Sequence, residues 1–177
     1  LSLGIGQGEM QLTTIQMANL AAILANRGFF YTPHLIKKYI SGKALPLKYT
    51  IPEKVRIHKR HFAPVIDGLE KVVLFGTARV AYVQGLDICG KTGTSENVHG
   101  EDHSVFFGFA PKNRPKIAIA VFIENAGFGA QWAAPVASLM IEKYIKKEIS
   151  PDRKYLEDKM IKGILVENPA ELIEIEE

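Results

Sequence analysis

Two short stretches of the chain are apolar at successive positions: Phe106, Phe107 and Phe109 in one, Ile117 to Ile123 in the other. A strand with one wet face alternates with a period of two, so unbroken runs imply a sheet covered on both sides. Ser104 to Ala110 and Lys116 to Glu124 are therefore predicted as a hairpin, joined by Pro111-Lys112-Asn113-Arg114-Pro115. Strand-like residues at Val80, Tyr82, Val83, Leu86 and Ile88 lead into a third stretch, Ile88 to Thr94.

Helical periodicity appears in three places. Thr13 and Gln16 form a capping box opening a helix to about Asn26, which would bury Ile15, Leu20, Ile23 and Leu24, with Gly28 as a left-handed stop. His61 to Phe75 places Phe62, Val65, Ile66, Leu69, Val72 and Val73 inward and tolerates Pro64 in its first turn. Trp132 to Lys147 carries Val136, Ala137, Met140, Ile141 and Tyr144 on one stripe. Between the first two helices, Phe29 to Ile40 alternates loosely around Pro33 and reads as an edge strand, followed by a turn-rich connection from Ser41 to Pro52.

The expected fold is α+β, a mainly antiparallel sheet of three consecutive strands flanked by helices. Residues 1–149 form its body. Residues 150–177 change character at Ser150-Pro151: a short charged helix through Tyr155, Leu156 and Met160, then an acidic run from Glu171 to Glu177. This tail's apolar positions, Ile164, Leu165, Val166, Leu172, Ile173 and Ile175, suit docking on a sheet edge. Gly4, Gly6 and Gly8 mark a loop at the start.

Composition narrows the class. With 47% hydrophobic and 23% charged residues in 177, the chain can bury one core. A net charge of +3, with its residues scattered, argues for no nucleic-acid partner. The cluster Lys54, Arg56, His58, Lys59, Arg60 and His61 lacks interleaved aromatics and reads as a solvated strand and helix entry. The single Cys89 has no internal disulfide partner and suits a buried, inert thiol. No basic-then-apolar leader and no membrane-length apolar stretch is visible, so the sequence as given is expected to be soluble.

Chemistry concentrates at Lys91-Thr92-Gly93-Thr94. Gly85 to Thr92 fits G-x-x-x-x-G-K-[ST], the phosphate-cradling loop of nucleotide hydrolases, but that mechanism needs a helix starting at the lysine so that its first amides face phosphate. Gly93-Thr94-Ser95-Glu96-Asn97 has no helical period, so the nucleotide reading is the outsider. The alternative is one wall of an acyl-transfer site. Lys91 would set a cation beside a nucleophilic serine, the Thr92 and Thr94 hydroxyls would hold a carboxylate, and an N–H near Thr94 would face an oxyanion. In an ideal pleat Thr92 and Thr94 share a face that Lys91 does not, so this geometry requires twist or an edge position. His99 and His103 stand four apart, yet Gly100 and the lack of a further fixed ligand argue against a metal; no metal or cofactor is expected.

Gly4-Ile5-Gly6-Gln7-Gly8-Glu9, Thr13-Thr14-Ile15-Gln16-Met17-Ala18, Gly76-Thr77-Ala78, Lys91-Thr92-Gly93-Thr94 and Phe106-Phe107-Gly108-Phe109-Ala110-Pro111 resemble, in order and spacing, the class B penicillin-binding proteins. These are the D,D-transpeptidases of peptidoglycan synthesis, related in fold to serine β-lactamases. Glu124-Asn125-Ala126-Gly127 and Trp132-Ala133-Ala134-Pro135 look most like the elongation type. The resemblance spans residues 1 to about 147.

It implies that Lys91, Thr92, Gly93 and Thr94 are catalytic-site residues, with Thr92 and Thr94 binding substrate. Its implied partners are peptidoglycan stem peptides, β-lactams and cell-elongation proteins. It also implies a parent held by a transmembrane helix in the bacterial cytoplasmic membrane, with the catalytic domain outside. The family's nucleophile lies in S-x-x-K and its second serine in S-x-N, both upstream of the matching stretch. No serine here has a lysine three residues on, and Ser95-Glu96-Asn97 sits after the lysine strand rather than before it. The chain therefore resembles the C-terminal half of a transpeptidase domain without its nucleophile, for which no turnover is expected. A β-lactamase or β-lactam sensor of the same fold, or a non-catalytic wall-binding or partner-binding module, would carry the same motifs.

Overall fold

The structure, a computed structural model, describes residues 11–165. The expectations for Gly4 to Gly8 and for Val166 to Glu177 fall outside those residues.

The central element is a three-stranded antiparallel sheet. Its strands β3 (Cys89–Ser95), β4 (His103–Ala110) and β5 (Ile117–Ile123) lie side by side in chain order. Register pairs Thr92 with Phe106, Phe106 with Val121 and Gly108 with Ile119. Four helices surround it: α1 (Thr14–Ala25), α3 (Phe62–Leu74), α4 (Ala133–Lys146) and the short α5 (Lys154–Lys162). A small ribbon pairs β1 (Phe29–Phe30) with β2 (Glu53–Lys54), and one turn of helix, α2 (Leu47–Thr50), lies between them in sequence.

Both faces of the sheet are covered, as the unbroken apolar runs require. On one face Phe106, Ala110 and Ile119 meet Ala134, Ala137 and Ile141 of α4, with Val83 and Ile88 closing the side. On the other, Cys89 and Phe109 meet Ala25 of α1 and Phe62, Ile66 and Leu69 of α3. Phe106 and Phe109 are fully enclosed, one in each core.

Helix existence follows the sequence; helix orientation follows packing. The capping box forms as read, with the Gln16 N–H donating to Thr13 Oγ1 and the Thr13 N–H to Gln16 Oε1. Yet α1 buries Ala21 and Ala25 and leaves Ile15 and Leu20 exposed, because small residues let it lie close to β4 and β5. It closes with the Gly28 N–H on the Ile23 carbonyl and the Arg27 N–H on Leu24. The left-handed turn therefore begins at Arg27 (φ 57°), one residue before the expected glycine. The Arg27 guanidinium holds the unusual position by donating to the Ala25 and Lys112 carbonyls.

Four other expectations change. Val65 faces water, while Phe62, Ile66, Leu69 and Val73 form the buried row of α3. On α4, Met140 and Tyr144 are exposed and the buried side instead includes Ser138 and Glu142. The strand expected from Phe29 to Ile40 is two residues long, and the approach through residues 80–88 is a 3₁₀ turn (Arg79–Ala81) with a tight Val83–Leu86 bridge. Val83, Leu86 and Ile88 are apolar because that loop plugs the core, not because it is pleated.

The segment after Ser150 docks on the body through a buried charge. Glu142 has 0% exposed side chain, and its Oε2 accepts from Arg153 Nε at 3.0 Å. Arg153 also donates to Ser138 Oγ and to the Tyr82 carbonyl, both at 2.6 Å. Lys146 and Ser150 donate to the second Glu142 oxygen. Burial pushes the Glu142 carboxyl up, but its hydrogen bonds from Ser150 and Lys146 and the Arg153 charge outweigh it and leave the group below its ordinary range.

Candidate active site

Lys91, Thr92, Gly93 and Thr94 occupy the middle of β3, the terminal strand of the sheet. Three local features fix that strand. Cys89 is anchored in the α1–α3 core, Ile88 in the α4 core, and a Cβ at Gly90 would overlap the Phe106 ring. Gly90 is therefore required for packing against the hairpin. Gly93 does lie under another backbone: a Cβ at Gly129 would strike the Gly93 and Val105 carbonyls, so the 125–132 connection passes directly over the strand there.

That connection is held by Ser104. Its buried Oγ accepts from the Ala133 N–H at 3.0 Å and donates to the Phe128 carbonyl at 3.0 Å. Trp132 offers no side-chain cap to α4, so the hydroxyl from β4 takes that place.

Register places Thr92 opposite Phe106 and Thr94 opposite Ser104, on the α4 side, whereas Lys91 stands opposite Phe107. The conflict with a shared site is resolved by the lysine itself. Lys91 Nζ bends back to the Thr92 carbonyl at 2.5 Å and comes within 3.5 Å of Thr92 Oγ1. The ammonium and the threonine hydroxyl thus meet although their Cβ atoms leave opposite faces. Thr92 is buried, and its Oγ1 lies 2.7 Å from Thr77 Oγ1, in the turn after α3. Thr94 is half-buried.

Thr77 is the residue that sequence reasoning named without giving it a role. Apolar periodicity ends at Phe75, and nothing local says that the next hydroxyl, fifteen positions from Thr92, will meet it. The signal was the triplet Gly76-Thr77-Ala78 itself: the Gly76 and Ala78 N–H groups both donate to the Val72 carbonyl, a tight turn that aims Thr77 at β3.

The loop beyond Thr94 is tied rather than free. Asn97 Nδ2 donates to Asn125 Oδ1 at 2.7 Å and its backbone N–H to Asp102, while the Asn125 N–H donates to His103 Nδ1 at 3.1 Å. Asn97, the third letter of Ser95-Glu96-Asn97, is thereby committed to this loop closure. A cavity of about 540 Å³ lies between α4 and α5 among Leu139, Met140, Lys143, Tyr144, Lys147, Ile149 and Glu157. None of the β3 residues lines it, so the candidate chemistry sits on an open strand and not in that cavity.

A strand-borne lysine followed by threonine, glycine and threonine, with helix on both faces of the sheet, cannot serve as a phosphate loop. No helix starts at Lys91. The strand placement is the one that the acyl-transfer reading requires. The family model described as the penicillin binding protein transpeptidase domain matches residues 1–142, and the chain belongs to that family.

Relatives agree. The chain is 32% identical to the peptidoglycan D,D-transpeptidase MrdA of Haemophilus influenzae, over 88% of this chain and 27% of that protein. It is also 32% identical to stage V sporulation protein D of Bacillus subtilis, over 87% of this chain and 26% of the relative. Among solved structures it resembles Pseudomonas aeruginosa PBP2 in complex with WCK 5153, at 36% identity and a TM-score of 0.69, covering 85% of this chain and 34% of that one. It also resembles an imipenem acyl-enzyme complex of penicillin-binding protein A from M. tuberculosis, at 28% and 0.68, covering 81% and 33%. The chain thus spans about a quarter of the length of the curated relatives it matches.

Proposed function

We propose that this chain supplies the lysine–threonine wall of a peptidoglycan D,D-transpeptidase site. Lys91 places positive charge beside a nucleophilic serine, which comes from a segment outside these 177 residues. The Thr92 and Thr94 hydroxyls hold the substrate carboxylate, and the Thr94 N–H faces the carbonyl oxygen as it becomes an oxyanion. In the reaction the serine oxygen bonds to the stem-peptide carbonyl carbon as the terminal residue leaves. An amine of a second stem then displaces the serine and forms the cross-link. A β-lactam acylates the same serine as its ring opens.

The observation that carries this reading is the meeting of Lys91 Nζ, Thr92 Oγ1 and Thr77 Oγ1 at the terminal strand. Family membership supports it, and so do relatives whose names are those of peptidoglycan D,D-transpeptidases. No described helix is long and apolar enough to cross a membrane. In the complete protein we place an anchor elsewhere, in the bacterial cytoplasmic membrane with the transpeptidase domain on its outer side. Cell-elongation proteins are the proposed partners.

The test is labelling with a fluorescent penicillin. The complete transpeptidase domain is expected to be labelled and to be protected by excess stem peptide, while the 177-residue chain alone takes up no label. Labelling of the chain alone would overturn the assignment of the nucleophile to another segment.

A further inference from the structure

Thr77 meets Thr92 from a turn that is held at both ends. The end at α3 is local: the Gly76 and Ala78 N–H groups both donate to the Val72 carbonyl. From there the chain continues as a 3₁₀ turn, with the Arg79 N–H on the Gly76 carbonyl, the Ala81 N–H on Ala78 and the Tyr82 N–H on Arg79. Residues 76–82 are therefore one hydrogen-bonded unit with Thr77 inside it, and whatever fixes the far end also fixes Thr77. Apolar packing fixes it weakly, since its fully buried side chains, Ala78 and Ala81, offer one methyl group each.

The far end is held by Arg153. Its Nη1 donates to the Tyr82 carbonyl at 2.6 Å and lies 3.5 Å from the Val80 carbonyl. The guanidinium cannot swing away, because Glu142 accepts from its Nε at 3.0 Å and Ser138 Oγ from its Nη2 at 2.6 Å. Glu142 and Ser138 both stand on α4 and are fully buried, and Arg153 itself is 9% exposed, so the network is enclosed by the described residues alone. A planar fork of five donors can serve these separate acceptors at once, which the point charge of a lysine on its flexible stem cannot.

We propose that Arg153 is a positioning residue for the site: through the Val80 and Tyr82 carbonyls it sets the 76–82 turn, and through that turn it sets the Thr77 hydroxyl against Thr92. The inference rests on the acyl-transfer reading of Lys91, Thr92 and Thr94. Arg153 lies beyond the residues 1–142 that the family model matches, so this support comes from the segment after α4 and not from the family's motifs. The segment does more than pack against the body: it holds one wall of the site in register from the opposite end of α4.

The experiment uses the complete transpeptidase domain, with the segment after α4, and removes the clamp in two ways. Arg153→Lys keeps a cation for Glu142 but loses the fork. Glu142→Met with Arg153→Met replaces the buried pair by apolar chains of similar volume, an exchange that buried ion pairs tolerate. Either change is expected to lower the rate of acylation by a fluorescent penicillin about two- to fivefold, less than loss of the Thr77 hydroxyl itself. In a Thr77→Val background the same changes should have no further effect, because residues acting through one contact are not additive. A merely structural role would lower the melting temperature and leave the rate per folded molecule unchanged. Amide hydrogen exchange reads the turn apart from activity: at matched global stability the Ala78, Ala81 and Tyr82 amides should exchange faster in both variants, while those of β4 and β5 should not. An unchanged acylation rate, an equal slowing in the Thr77→Val background, or unchanged exchange across residues 76–82 would each overturn the proposal. If Lys91→Ala leaves acylation unaffected, the acyl-transfer reading is what fails, and exchange across residues 76–82 still decides whether Arg153 holds the turn.

Discussion

At the scale of single residues, the account rests on Thr77 fixing Thr92. A threonine hydroxyl has one proton to give and two lone pairs, so with Thr77 as the donor of their 2.7 Å contact Thr92 keeps a lone pair for Lys91 and its proton for the proposed substrate carboxylate. Thr77→Val keeps the shape and removes the partner. In the complete domain it is expected to slow acylation by a fluorescent penicillin roughly five- to tenfold, the worth of one net hydrogen bond. Thr77→Ser should restore the rate, and neither variant should alter the melting temperature by more than a few degrees.

Cys89 gives a second residue-level outcome. Burial, helped by the charge of Glu70, pushes its thiol from an ordinary 9.0 up to about 12. Above pH 9 the unfolded chain loses this proton while the folded one keeps it. The stability that goes with the neutral buried thiol is therefore complete below pH 9 and drains away between 9 and 12. Chemical denaturation across that window should show a fall in stability that Cys89→Ala removes, and iodoacetamide should leave the folded thiol unmodified at neutral pH. The inert buried character of Cys89 could be read from its apolar neighbours. The Thr77–Thr92 contact could not, since the two lie on separate elements whose approach is set by the whole sheet.

At the scale of elements, the ion pairs divide by burial. Lys112 Nζ sits 2.7 Å from both Asp67 and Glu70, which ties the hairpin connection to α3, and its partners raise its pKa. Asp67 is half in water, so Lys112→Met is expected to cost under about 1 kcal/mol in urea unfolding. Arg153→Met removes the more buried of the two cations, Arg153 and Lys146, that pair with a fully enclosed Glu142 and should cost about 3–5 kcal/mol. Because the Glu142 carboxyl is held below its ordinary range, its contribution is present at neutral pH and lost on acidification below about 4.5. Arg153→Met should flatten that acid limb.

The same pair explains where reading helices from sequence failed. The apolar stripe put Met140 and Tyr144 inward, but α4 is turned so that Glu142 meets a partner eleven residues away. Alanine did the same on α1, where Ala21 and Ala25 displaced larger Ile15 and Leu20 from the interface. Helix ends marked by capping chemistry, such as Thr13 with Gln16, were readable because every atom involved is local.

At the scale of the molecule, three strands in chain order with helix on both faces followed directly from unbroken apolar runs at Phe106–Phe109 and Ile117–Ile123. What the pattern could not carry was the arm at 31–52, whose apolar residues mimic a strand yet join none of the hydrophobic cores among the described residues. Family membership supports the proposed acyl-transfer chemistry, and the proposal depends on Lys91 standing at the reacting centre. The decisive measurement is the acylation rate of the complete transpeptidase domain by a fluorescent penicillin, wild type against Lys91→Ala at equal folded fraction. Loss of the ammonium is expected to reduce that rate by about 10²–10³-fold, the scale of one electrostatic group lost at a reacting centre. A Lys91→Ala domain that acylates as fast as the wild type would contradict the account.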